Sequence, residues 1–298
     1  KSNRYDVFKV FGCVNGLEKN SIYVMDLFGK CALRHLDNNM ALYWNNLVDL
    51  KLYKVSMVHV DGRFYSSPSG WKQSFEIVAI LENESMIKSV SVGFALLSSS
   101  TQENYSLLFK KIRDHKYLNI KSIMLDFEIA IYNAVKFNFP NSSPRGCYYH
   151  YRNNLNNRST KIKRWLNKSP SKFVMNVLSL APFVNNPIEL LYTAIENIDY
   201  GNKELFKNPD FKMIMYVYET YILKLKSFFK INLELDMIRT NNACEGRNSV
   251  LKRHFSFKPN IEDLIDFIAI RFKKDAVKKF TQVPAPSSYD IFLIEIQK

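Results

Sequence analysis

"KSIMLDFEIAIYNAVKFNFP", residues 121–140, decides the fold. A strand-length apolar run, Ser122 to Leu125, stops on Asp126; after Phe127 and Glu128 the pattern turns helical, until Pro140 ends it by removing a donor and crowding the preceding turn. A strand that stops on an acid and passes straight into a helix has two uses for that acid. The side chain caps the helix, or it presents a carboxylate at the end of a sheet.

Upstream lie three segments of strand length, rich in β-branched and aromatic residues: Val55 to Val60, Ser74 to Leu81 and Ser89 to Leu97. Turn-like linkers between them predict an antiparallel meander. In "SSTQENYSLLFKKIRDH", Ser100 and Glu103 are spaced as a capping box, and Tyr105, Leu108, Phe109 and Ile112 share one helical face. Beyond Pro140, after a Ser/Pro loop, "RGCYYHY" reads as a short fifth strand. Three antiparallel strands, helix, strand, helix, strand is the element order of an RNase H-like α/β core, a mixed five-stranded sheet flanked by helices. Its first and fourth strands lie side by side at the centre of the sheet, which makes Asp61 and Asp126 neighbours.

Residues 152–236 read as helical throughout, so the core is interrupted by an all-helical insertion. Within it, "NPIELLYTAIENI" has Asn186 as N-cap and Pro187 in the first turn. After it, "NIEDLIDFIAIRFKK" sets Ile261, Leu264, Ile265, Ile268 and Phe272 on one face, with acids in the first turn and bases in the last. The expected organisation is a flanking region over 1–50, the first part of the core over 51–151, the insertion over 152–236 and the C-terminal helices of the core over 237–298.

The 298 residues are 47% hydrophobic, ample for a large buried core. A net charge of +14, from 42 basic against 28 acidic residues, favours polyanionic partners through counterion release, although a solvated basic face has the same composition. The four cysteines are far apart, unlike a disulfide scaffold, and fit a reducing compartment. No apolar run reaches membrane-spanning length, and the first residue is Lys1, so the chain reads as soluble and excised from a longer one.

Metal-dependent phosphoryl transfer needs hard oxygen ligands converging on one point, because two divalent ions must clamp the attacking and leaving oxygens. Asp61 and Asp126 supply two carboxylates from adjacent strands, and Glu245, at the start of a helix after the insertion, supplies a third. Each has a plainer reading. Asp61-Gly62 is a common hairpin pair, Asp126 suits an N-cap, and Asn242 with Glu245 has N-cap to N3 spacing. It is the strand order, acting on all three together, that favours a site.

"VDGRF" at 60–64, "LDFEIAIYNAVKFNFPNSSPRGCYYHYRNNL" at 125–155, "LSLAPFV" at 178–184 and "RTNNACEGRNSVLKRHF" at 239–255 resemble, in that order, the Mutator-like element (MULE) transposases. The resemblance implies an RNase H-like core with a helical insertion and a DDE triad of Asp61, Asp126 and Glu245 binding two Mg2+ (or Mn2+) ions. The implied activity is metal-dependent cleavage and strand transfer of DNA at element ends. The implied partners are terminal-repeat and target DNA and further copies of the chain, with no membrane, and the implied place is the nucleus. Glu128 belongs to the DFE motif without being a triad member. Cys147-x-x-His150 resembles the family's CxxH motif; two ligands fall short of a zinc site, and the pair is read as holding the insertion against the core. Cys13, Cys31 and His35 are ligand types of a zinc finger, but no fourth ligand is evident, so no zinc site is assigned to them.

Two positions depart from the family pattern, Arg63 for a small Thr and Arg247 for an aromatic. With Lys252 and Arg253 they are read as phosphate contacts. The stretches "RNNLNNRSTKIKRW" and "KRHFSFK" interleave Trp165, Phe255 and Phe257 with bases, which suits phosphate contact and stacking on unpaired bases as well as it suits solvated helix faces. Two alternatives stay open: a domesticated DNA-binding transcriptional regulator without catalysis, and a structure-selective nuclease on the same fold.

Overall fold

The computed structural model of the chain describes residues 33–36, 39–65, 67–83, 86–115, 120–198, 205–229, 242–255 and 257–282. Cys13 and Cys31 lie outside them. The described residues form two compact units, one from residues up to 144 together with those after 241, the other from 145–229.

The first unit is built on an eight-stranded sheet. Its strands are β1 Leu33–Leu36, β2 Met40–Trp44, β3 Lys54–Arg63, β4 Gln73–Asn83, β5 Met86–Leu97, β6 Ser122–Leu125, β7 Ser143–Gly146 and β8 Thr281–Gln282. They lie in the order β1-β2-β5-β4-β3-β6-β7, with β8 pairing β5. β3, β4 and β5 are the antiparallel meander, and β6 runs parallel to β3. Counted from β3, the core order is third, second, first, fourth, fifth, that of an RNase H-like sheet. β1, β2 and β8 extend it beyond the five strands expected, on the β5 side; "MALYW" of β2 is buried at every position because β5 covers one edge and helices cover its face.

Helices α1 (Gln102–Arg113) and α2 (Ile129–Asn138) pack together, and Tyr105 of α1 meets Phe75 of β4 at a ring distance of 5.9 Å. The N-cap of α1 is Thr101, whose hydroxyl accepts from the Asn104 N–H, one residue later than the Ser100 capping box expected. Helices α8 (Asn242–His254) and α9 (Ile261–Val277) bury Leu251, Leu264, Ile265, Ile268 and Phe272 against Ala41, Tyr43, Phe94 and Leu96 of β2 and β5. This is the apolar stripe expected over 261–272. β4 is buried from Gln73 to Leu81, since layers lie on both of its faces.

Asp61-Gly62 is not a hairpin turn. Both residues sit in the β3 ladder, Asp61 opposite Glu76 and Gly62 opposite Phe75. Glycine is needed at 62 because a Cβ there would run into the buried Gln73 amide, itself held by the Tyr105 hydroxyl at 2.9 Å. Gly62→Ala is expected to destabilise the protein by about 1–3 kcal/mol, as overpacking does, read as a lowered denaturation midpoint. An unchanged midpoint would show that Gln73 moves aside freely.

The second unit is helical: α3 (Tyr148–Leu166), α4 (Lys172–Leu180), α5 (Pro187–Glu196), α6 (Pro209–Val217), a π-helical run Tyr218–Lys224 and a short α7 (Lys226–Phe229). The fifth strand is shorter and earlier than "RGCYYHY" predicted. β7 ends at Gly146, and Cys147 stands at the N-cap of α3. The aromatics Tyr148 and Tyr151 that made this stretch look extended are instead the buried face of α3, packing on Phe183, Tyr221 and Phe229. Ser171, Asn186 and Asn208 cap α4, α5 and α6 through their side chains, Asn186 and Pro187 as the sequence predicts. No described helix is long and apolar enough to cross a membrane.

Candidate active site

In the parallel pair β3 and β6, Val58 stands opposite Ile123 and His59 opposite Met124. Asp61 lies two residues beyond His59 in β3, and Asp126 two residues beyond Met124, just past the C-terminal end of β6. The Asp61 side chain is buried at 5% exposure and accepts a hydrogen bond from the Asn248 amide of α8. Asp126 does not cap α2. Its Oδ1 accepts from the Phe127 N–H at 2.6 Å and its carbonyl from the Glu128 N–H at 2.8 Å, a tight turn that ends the strand.

Glu128 takes the N-cap position of α2 without making a side-chain cap bond. Its carboxylate instead lies 3.3 Å from the Tyr105 hydroxyl. Burial raises its carboxyl above the ordinary value; the Tyr105 hydrogen bond opposes this, and the negative charge of Asp126 adds a smaller upward push. Tyr105 packs on Phe75, the partner of Gly62, whereas Asp61 meets α8; adjacent strand positions face opposite sides of the sheet. Glu128 therefore engages a ring that packs on the face of β4 opposite to Glu76, the strand partner of Asp61.

Glu245 occupies the first turn of α8, three residues before Asn248 and so on a shared helix face with the residue that reaches Asp61. Next to it, Cys244 is fully buried; burial first, and the charges of Asp61 and Glu76 after it, push its thiol well above the ordinary value. It is a packed neutral thiol.

What seats α8 on the sheet is a buried ionic cluster. Glu76 of β4 meets Arg271 of α9 at 2.8 Å, Arg63 of β3 at 2.9 Å and Arg247 of α8 at 3.5 Å. Arg247 also holds Asp275 of α9 at 2.9 Å and the Ser89 carbonyl at 3.1 Å, while Asp275 accepts from the Ser91 N–H at 2.7 Å. Burial pushes the Glu76 carboxyl up, yet Arg271, Arg63 and Arg247 together outweigh it and hold the group below its ordinary value. Three guanidiniums from three elements converge on one carboxylate, so β3, α8 and α9 keep their places relative to β4.

Arg63 and Arg247, expected as phosphate contacts, thus turn inward; their side chains are only 10% and 12% exposed. Lys252 and Arg253 do stay exposed on the last turn of α8, Lys252 over the Tyr65 ring. In the second unit Cys147 is buried and His150 lies in the first turn of α3. Sequence reading passed over Glu76, Arg271, Asp275 and Asn248. A signal existed for the first three: Glu76 interrupts the apolar run "SFEIVAIL", Arg271 falls three residues after Ile268, and Asp275 three after Phe272, on the buried stripe of α9. Asn248 carried none.

The strand order and the flanking helices define an RNase H-like α/β domain. Residues 57–154, which hold both Asp61 and Asp126, match the family model of the MULE transposase domain, the family whose motifs the sequence resembles. Among solved structures, the Drosophila P element transposase strand transfer complex is similar at 11% identity over 78% of this chain and 78% of that one, with a TM-score of 0.26. No curated protein sequence matches the chain.

Proposed function

We propose that this transposase domain is catalytic, a DDE-type enzyme that cleaves and joins DNA with Asp61, Asp126 and Glu245 as its carboxylates. The observation that carries the reading is the parallel pairing of β3 with β6, the two strands that lead to Asp61 and Asp126. Hard oxygen donors drawn from the ends of two paired strands suit Mg2+ or Mn2+. With two such ions bound, the attacking water or 3′-hydroxyl is activated and the leaving oxygen is stabilised. The Asn248 amide orients the Asp61 carboxylate, and Glu245, three residues before Asn248 on the same helix, would supply the third carboxylate. The Glu76 cluster keeps that helix against β3 and β4. The net charge of +14 supports a polyanionic substrate; the reading adds that this is the terminal-repeat and target DNA of an element, handled in the nucleus by a multimer of the chain.

The test is to incubate the purified protein with duplex DNA carrying the terminal repeats of its element, in Mg2+, in Mn2+ and in EDTA. Metal-dependent nicking followed by strand-transfer products is expected, with Glu245→Gln at least about tenfold slower, as for lost metal-site ligation. Nicking without any joined product favours the structure-selective nuclease. Tight DNA binding with no nicking in either metal overturns catalysis and leaves the regulator.

A further inference from the structure

We infer that the helical unit carries a groove for an unpaired nucleic-acid strand, between α3 and α6. The groove, about 390 Å3, is lined among others by Arg158, Trp165, Phe206, Lys212, Tyr216 and Glu219. Trp165 is 62% exposed and Phe206 74%. The Arg158 guanidinium sits between two rings, 5.4 Å from the centre of Trp165 and 5.2 Å from that of Tyr216, and its Nε is buried without a hydrogen-bond partner. Phe206 is steadied edge-on by Phe211 at 5.6 Å.

Single exposed aromatics are ordinary on protein surfaces. Here two large ones open onto the same groove, beside a cation already stacked on ring faces. Helix α3, which forms one wall, carries Arg152, Arg158, Lys161, Lys163 and Arg164 and no acidic residue. Glu219 is the one acid among the lining residues. Flat aromatic faces flanked by a positive helix are what a single strand needs, bases stacking on the rings while phosphates meet the Lys and Arg heads. A duplex keeps its base faces stacked inside and gains only the charge. An acidic peptide would meet the charge without using the rings.

Trp165 makes the inference measurable. The other two tryptophans, Trp44 and Trp71, are buried at 3% and 8% exposure, so quenching of emission by a bound strand reports on Trp165. The whole chain is titrated in EDTA with a short oligothymidylate, with a duplex of equal length and with polyglutamate. Saturable quenching by the oligothymidylate alone is expected, and Trp165→Ala, an exposed position, should bind that strand about tenfold more weakly than wild type when both are followed by the anisotropy of a dye-labelled oligothymidylate, as the loss of a stacking platform does, with an unchanged melting temperature. Equal quenching by duplex or by polyglutamate, or a Trp165→Ala variant that binds as tightly as wild type, overturns the groove. The ligand class rests on the DNA reading proposed above, but the two fail separately. Quenching without nicking sinks catalysis alone, and nicking without quenching sinks the groove alone.

Discussion

Replacing Asp126 by Asn is expected to abolish metal-dependent nicking, a fall of about a thousandfold or more, corresponding to several kcal/mol of lost transition-state stabilisation. The substitution preserves shape and an oxygen that accepts from the Phe127 N–H, so the turn that ends β6 survives and melting should be nearly unchanged. The matched control is Glu128→Gln, two residues on. Its carboxylate engages the Tyr105 hydroxyl, so nicking should stay within a few-fold of wild type. Nicking is read on a denaturing gel at equal protein and Mg2+. If both variants fall together, or neither does, Asp126 is not the ligand assigned.

Glu76→Ala has the largest expected effect on stability. Removing the shared carboxylate leaves Arg63, Arg247 and Arg271 buried and facing one another, and breaking a buried ion pair from one side costs about 3–5 kcal/mol. At about 2–4 °C per kcal/mol for a chain of this size, the melting temperature should drop by roughly 10 °C. The pH dependence has a definite sign. The folded state holds the Glu76 proton less tightly than the unfolded chain, whose ordinary value is 4.5. The contribution is therefore complete above about pH 4.5 and is lost as pH falls through the lower folded value. A Glu76→Gln variant should accordingly show a flatter acid limb than wild type in a plot of melting temperature against pH. A drop of only a degree or two in Glu76→Ala, with an unchanged acid limb, would mean that the cluster does not seat α8.

The two variants probe different layers of one arrangement. Asp126 concerns the atoms that would touch metal and substrate; Glu76 concerns whether α8 stays where Asn248 reaches Asp61. A partial loss of nicking in Glu76→Gln, recovered at lower temperature, is the signature of that second layer.

Much of the core was legible because its signals are local. Strands β3, β4, β5 and β6 announce themselves by β-branched runs of strand length, and the stripe from Ile261 to Phe272 by its period. The cap at Asn186 depends only on a residue three positions away. Misreadings fell where a local pattern has two meanings. "CYYHY" is as aromatic as a strand, and only the packing of Tyr148 and Tyr151 on distant rings makes it a helix face. Asp61-Gly62 resembles a turn until β4 pairs along it. Arg63 and Arg247 looked like surface cations because nothing near them in sequence reveals that Glu76 and Asp275 wait inside.

The sequence by itself determined the order of elements, the acids at the ends of strands and the excess of positive charge, since each follows from residue type and short-range spacing. Tertiary structure alone decided the parallel pairing of β3 with β6, the meeting of Glu128 with Tyr105, and the inward fate of three arginines. These depend on which segments pair across long stretches of chain, and a buried charge settles wherever its opposite is brought to meet it.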